Sequence, residues 1–266
     1  MELFQQQYFK HVNDLVVPYG FMRCKNAFVR VTNDVLHSFH LDIFSRTQGF
    51  GFFRIYFGII PLNLTKYDRA GMPYYGHYEL TPGFPLGAPK YLDNDGYSSL
   101  MFDGTSEGDV NTLVDILRED IRMRLIPHFE RATDSKAALD ENWEMDKAIS
   151  VSFPKTFKGL DLTLWGHEGM YSMALKHRRY DYILHAYEVM IGYVKARAAE
   201  RNWALENRLD YMKDDVRAEL ERNEAEEMAR IQKLIDGIPN IDEEKIQREL
   251  EENEAYSRKH LKRYIV

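Results

Sequence analysis

The chain reads as an α+β protein: an N-terminal antiparallel sheet flanked by helices, then an all-helical C-terminal region with a long antiparallel helical hairpin. Three observations lead there. Residues 35–45 and 52–60 alternate apolar and polar with a period of two, and turn residues separate them, which is the pattern of paired strands. Residues 2–17 carry Phe4, Tyr8, Val12, Leu15 and Val16 at spacings of three and four, the stripe of an amphipathic helix. From residue 134 onward the chain reads as helix or connector, and beyond Trp203 it is strongly charged. The expected division is an α+β domain over 1–140 and a helical region over 141–266.

The elements follow in order. Pro18 and Gly20 end the first helix. Three strand-like runs come next: 27–31, 35–45 and about 52–60. In the second, Val35, His37, Phe39, Leu41 and Ile43 share one face, and Leu36, Ser38, His40, Asp42 and Phe44 the other. In the third, Phe53, Ile55, Phe57 and Ile59 oppose Phe52, Arg54, Tyr56 and Gly58. "SRTQGFG" is the hairpin between them. Its glycines precede a strand, whereas a phosphate-cradling loop needs them at the start of a helix.

Residues 63–108 are dense in Gly, Pro and Tyr, with a short strand expected around 97–102. A connection this long is unusual in a compact domain and points to partner binding. Tyr74, Tyr75, Tyr78 and Tyr91 are the partner-contact candidates, because tyrosine buries much area at low entropic cost. "DVNTLVDILREDIRMRLIPHF" predicts one helix with Asp109 as its cap. A helical hairpin over 163–200 turns near "KHRRYD". A protruding charged arm over 203–262 turns at "DGIPNID" and is a candidate element for homodimer formation.

Composition narrows the function classes. The net charge is −7, and neither half of the chain is basic, so the electrostatic footprint of a nucleic-acid binder is missing. No apolar run approaches the length needed to span a bilayer. The N-terminus has no basic start and no continuous apolar run, so it does not read as a signal peptide. Cys24 is the one cysteine, which excludes an internal disulfide and fits a reducing compartment; the cytosol is the expected location. Cys24 lies between Arg23 and Lys25 and reads as a packing residue at a strand edge.

No metal-ligand spacing and no cofactor motif occurs. "HE" at His167–Glu168 lacks the second histidine that a zinc-binding helix carries. The aromatic third strand lacks the flanking cations of an RNA-binding platform, so its rings read as core. His40 and Asp42 share a strand face, and with Arg54 and Tyr56 they are the pocket candidates: a His–Asp pair is suited to orienting a general base.

Residues 1–140 resemble the bacterial family called domain of unknown function 4304. The likeness rests on Gly20, Phe21, Arg30, Ser45, Phe53, Phe57, Gly58, Pro127, Phe129 and Glu130. The family's usual "lQkS" is replaced by "DIFSR", which removes any role tied to that glutamine. The resemblance implies an α+β fold and no established activity. The expected function is a non-enzymatic, cytosolic protein-interaction module, for example an immunity or toxin-neutralising partner. The alternative is a small-molecule sensor or enzyme with its site between the sheet and the Tyr-rich loop.

Overall fold

The amphipathic stripe forms α1 (Glu2–Val16), which buries Phe4, Tyr8, Phe9, Val12 and Val16. These coordinates are a computed structural model, which describes residues 2–45, 50–63, 78–79, 101–103, 106–141, 143, 172–206 and 214–266. Pro18 fits the 3₁₀ turn Val17–Tyr19, where no backbone donor is needed. Gly20 then takes a left-handed conformation, φ 81°, and its N–H returns to the Val17 carbonyl.

Four strands follow as an antiparallel meander: β1 (Met22–Cys24), β2 (Ala27–Thr32), β3 (Val35–Ser45) and β4 (Phe50–Pro61). The turns after β1 and β2 have two residues each, and their first residues, Lys25 and Asn33, have positive φ of 55° and 45°. β3 and β4 pair along their full length, and the predicted alternation holds in register. Two short strands, β5 (Tyr78–Glu79) and β6 (Met101–Asp103), pair with the far edge of β4. β6 overlaps the short strand expected near 97–102. β1 and β5 are too short for a period of two to show in sequence.

One sheet face is aromatic. Phe28 stacks on Phe39 with ring centroids 5.1 Å apart, and Phe21 and Phe129 close over them. Phe129 comes from a helical segment with a defect. Helix α2 (Glu107–Asp120) is capped by Ser106, whose Oγ accepts from the Asp109 N–H, so the cap lies three residues before the expected one. Pro127 has no N–H, and its ring crowds the carbonyl four residues back. The chain widens ahead of it into a π-turn over Ile121–Leu125, closed by the Ile126 N–H on the Ile121 carbonyl, and continues as α3 (Ile126–Arg131).

The second sheet face is also covered in part. Ala27, Val29, Val31, Leu36, Ile60 and Leu62 are buried there together with Cys24, Leu261 and Tyr264. β1 has three residues, so the β2 edge beyond Val29 is left open by it. The C-terminal segment fills that edge: Ile265 bridges Val31 in parallel, and the Val266 N–H reaches the Val31 carbonyl at 3.2 Å. Residues 250–266 therefore form one unit with residues 1–153, and residues 154–249 form another.

In that second unit, the turn at "KHRRYD" occurs at 177–179, with Arg178 at φ 55°. Helices α4 (Tyr180–Glu206) and α5 (Asp214–Gly237) pack antiparallel, and Arg201 of α4 pairs with Glu224 of α5 at 2.5 Å. The predicted arm over 203–262 is thus redistributed. Its first helix pairs with α4, and its last, α6 (Glu243–His260), leads into the residues that close the sheet edge. The physical reason is the apolar pair Leu261 and Tyr264, which has a sheet face to cover. Among the described residues no helix is long and apolar enough to cross a membrane.

Gly20 gives a direct test. A Cβ there would lie 2.7 Å from Val266 Cγ2, and the backbone is left-handed. Gly20→Ala is expected to lower the unfolding free energy by about 1–2 kcal/mol in urea titration. Adding Val266→Ala relieves the contact but not the backbone, so most of the loss is expected to persist.

Candidate functional site

The groups best suited to chemistry in the N-terminal unit are first of all structural. Arg30 on β2 and His37 on β3 are cross-strand partners. Arg30 Nε–H donates to His37 Nδ1 at 3.0 Å, which leaves His37 Nε2–H to donate to the Ala132 carbonyl at 2.7 Å. Arg30 Nη1 donates to the Tyr19 carbonyl at 2.8 Å and pairs with Glu130 at 2.6 Å. Its guanidinium lies 4.7 Å over the Phe21 ring, and the His37 ring stacks on Phe129 at 4.8 Å. Burial, with the neighbouring Arg30 charge, lowers the pKa of His37 to about 3, so the imidazole is neutral at physiological pH.

Two further links fix the segment after α3. Asp34, in the β2–β3 turn, accepts from the Ser135 N–H at 2.8 Å and also from its hydroxyl. Glu141 accepts from Arg131 and lies 3.2 Å from Nδ1 of buried His128. Burial lowers the pKa of His128, while the Arg131 hydrogen bond lowers that of Glu141. Phe21, Arg30, Phe129 and Glu130 meet in this region.

The register places His40, Asp42, Arg54 and Tyr56 on one face, with His40 opposite Tyr56 and Asp42 opposite Arg54. The His40 ring stacks on Tyr56 at 5.2 Å and is only 8% exposed, so this sheet face is covered at this position. The side chains of Asp42 and Arg54 lie outside the described residues. Tyr78 falls in β5 opposite Phe57, and Glu79 falls opposite Tyr56. Tyr74, Tyr75 and Tyr91 lie outside the described residues.

A different place gathers unneutralised charge. A cleft of about 370 Å³ on β1 is lined by Met22, Arg23, Cys24, Lys25, Arg263 and Tyr264. Cys24 Sγ and the Tyr264 hydroxyl are 2.8 Å apart, and burial is the first cause raising the pKa of that phenol. Arg23 is held in place by the Phe9 ring, 3.9 Å from its guanidinium, and by its Nε–H on the Lys25 carbonyl at 3.1 Å. Arg263 lies 4.6 Å over the Tyr264 ring. Among the described residues no carboxylate forms an ion pair with Arg23, Lys25 or Arg263; Glu2 and Asp14 line a neighbouring pocket with Arg23. The local sequence shows Arg23 and Lys25 beside Cys24. Arg263 and Tyr264, some 240 residues later, give no sequence signal that they belong to the same site.

Among the described residues no group of three or more His, Cys, Asp or Glu is placed to hold a metal ion. Set against known proteins, the chain matches no family model, no curated protein and no solved structure.

The depressed His37 pKa has a defined consequence. The unfolded chain takes up a proton near pH 6.5 that the folded chain takes up only near pH 3, so stability is lost as the pH falls through that window. The full gap corresponds to on the order of 5 kcal/mol. Urea unfolding between pH 6.5 and about 4.5 is expected to show a loss of about 2–3 kcal/mol, and His37→Gln to flatten that part of the profile.

Proposed function

We propose that the chain is a non-enzymatic, cytosolic protein-interaction module that docks an acidic surface of a partner protein on the β1 cleft. The observation that supports it is the convergence of Arg23, Lys25 and Arg263 on one cleft, none of them in an ion pair with a described carboxylate, in a chain of net charge −7. A cluster of like charges is repulsive when unpaired, and a partner of opposite charge relieves that repulsion. Contacts of this exposed kind act through association rate and salt dependence. Neutralisation of a toxin is one form this role would take. The likeness to domain of unknown function 4304 belongs to the same proposal.

The second reading, a small-molecule site on the sheet, is favoured by the register that brings His40, Asp42, Arg54 and Tyr56 to one face. The burial of His40 weighs against it, since a general base must reach a ligand.

Fluorescence anisotropy with a labelled Asp/Glu-rich peptide tests the leading reading. Binding is expected to weaken by about tenfold or more from low to high salt, and by a similar factor in Arg23→Glu/Lys25→Glu/Arg263→Glu. Equal affinity for the wild type and the triple variant, at unchanged melting temperature, would remove the cleft from the account.

A further inference from the structure

The β1 cleft has more structure than a generic cationic surface. Its two guanidiniums are pre-positioned, Arg23 by Phe9 and Arg263 by Tyr264, so little side-chain entropy remains to be lost when they close on a ligand. Arg23 directs Nε to the Lys25 carbonyl, which leaves its terminal nitrogens for a ligand. Lys25 itself stands at φ 55°, the first position of a two-residue turn where Gly, Asn or Asp is the ordinary choice. A lysine there strains the backbone, because its Cβ crowds the following carbonyl. A cation at a position where its backbone is strained points to a role for its charge.

Three cations exceed what one carboxylate needs. A carboxylate carries one charge and is satisfied by one guanidinium fork. A phosphoryl monoester carries about −1.5 to −2 at neutral pH and presents three acceptor oxygens, enough for two forks and an ammonium. The cleft, about 370 Å³, is at the small end of ligand sites and suits a single modified side chain. Tyr264 and Met22 add apolar wall beside the charges.

We propose that the cleft bounded by Arg23, Lys25, Arg263 and Tyr264 is a phosphoryl-recognition site, which takes a phosphorylated side chain of a partner protein. This rests on the interaction-module reading and names the group that the module reads. No bond is made or broken.

Calorimetric titration of the full chain with one acidic peptide in three versions tests it: phosphoserine, glutamate or serine at the same position. The phosphoserine version is expected to bind about tenfold more tightly than the glutamate version, and Arg23→Ala or Arg263→Ala to abolish that preference while thermal unfolding stays cooperative. If the phosphoserine and glutamate versions bind alike, the phosphoryl assignment falls and the acidic-partner reading survives. If inorganic phosphate alone binds as tightly as the phosphopeptide, the seat is real but reads a free phosphoryl compound, and the partner reading falls. If no version binds, both fall.

Discussion

The buried guanidinium of Arg30 is the constraint on which the N-terminal unit depends. A charge taken out of water is expensive unless it is paired and hydrogen-bonded; Arg30 meets this through Nε and Nη1, while its buried Nη2 has no partner among the described residues. Here that requirement ties four separate pieces of chain together. Arg30 reaches Tyr19 before the sheet, His37 on the neighbouring strand and Glu130 at the end of α3, while Phe21 covers its face. The arrangement fixes His37 in one tautomer, and that tautomer satisfies the Ala132 carbonyl at the helix end. The aromatic cluster beneath adds burial but little direction; the polar clasp sets which residues meet. The π-turn ahead of Pro127 fits this picture, because the last turn of the helical segment must present Phe129, Glu130 and Ala132 toward the sheet.

The second constraint is the open edge of β2. A short β1 leaves strand edge exposed, and exposed edges invite uncontrolled pairing. The C-terminal segment covers it and carries Leu261 and Tyr264 onto the second sheet face. The same closure brings Arg263 alongside Arg23 and Lys25. The cationic cleft is thus a product of the fold's closure, assembled from residues at opposite ends of the sequence.

Much of the sheet was legible because periodicity is a local signal. The alternation in 35–45 and 52–60 matches the register in which β3 and β4 pair. The α+β class followed from the same evidence. What local patterns could not carry was everything decided by long-range contact. His37 read as one apolar-face position among others; its pairing with Arg30 and Ala132 depends on tertiary structure. The sparse stripes of the C-terminal helices named apolar faces without naming their partners, so α5 was matched to the following helix when it packs on α4. Cys24 was correctly read as a packing residue, but its neighbour Tyr264 lies 240 positions away.

The state of the His37 imidazole tests the central claim most directly, because the clasp requires a bare Nδ1 and a protonated Nε2. Nitrogen chemical shifts of that ring, followed by NMR from neutral pH downward, are predicted to report this one tautomer with no titration midpoint above about pH 4. A His37 that titrates near 6.5, or that carries its proton on Nδ1, would contradict the account.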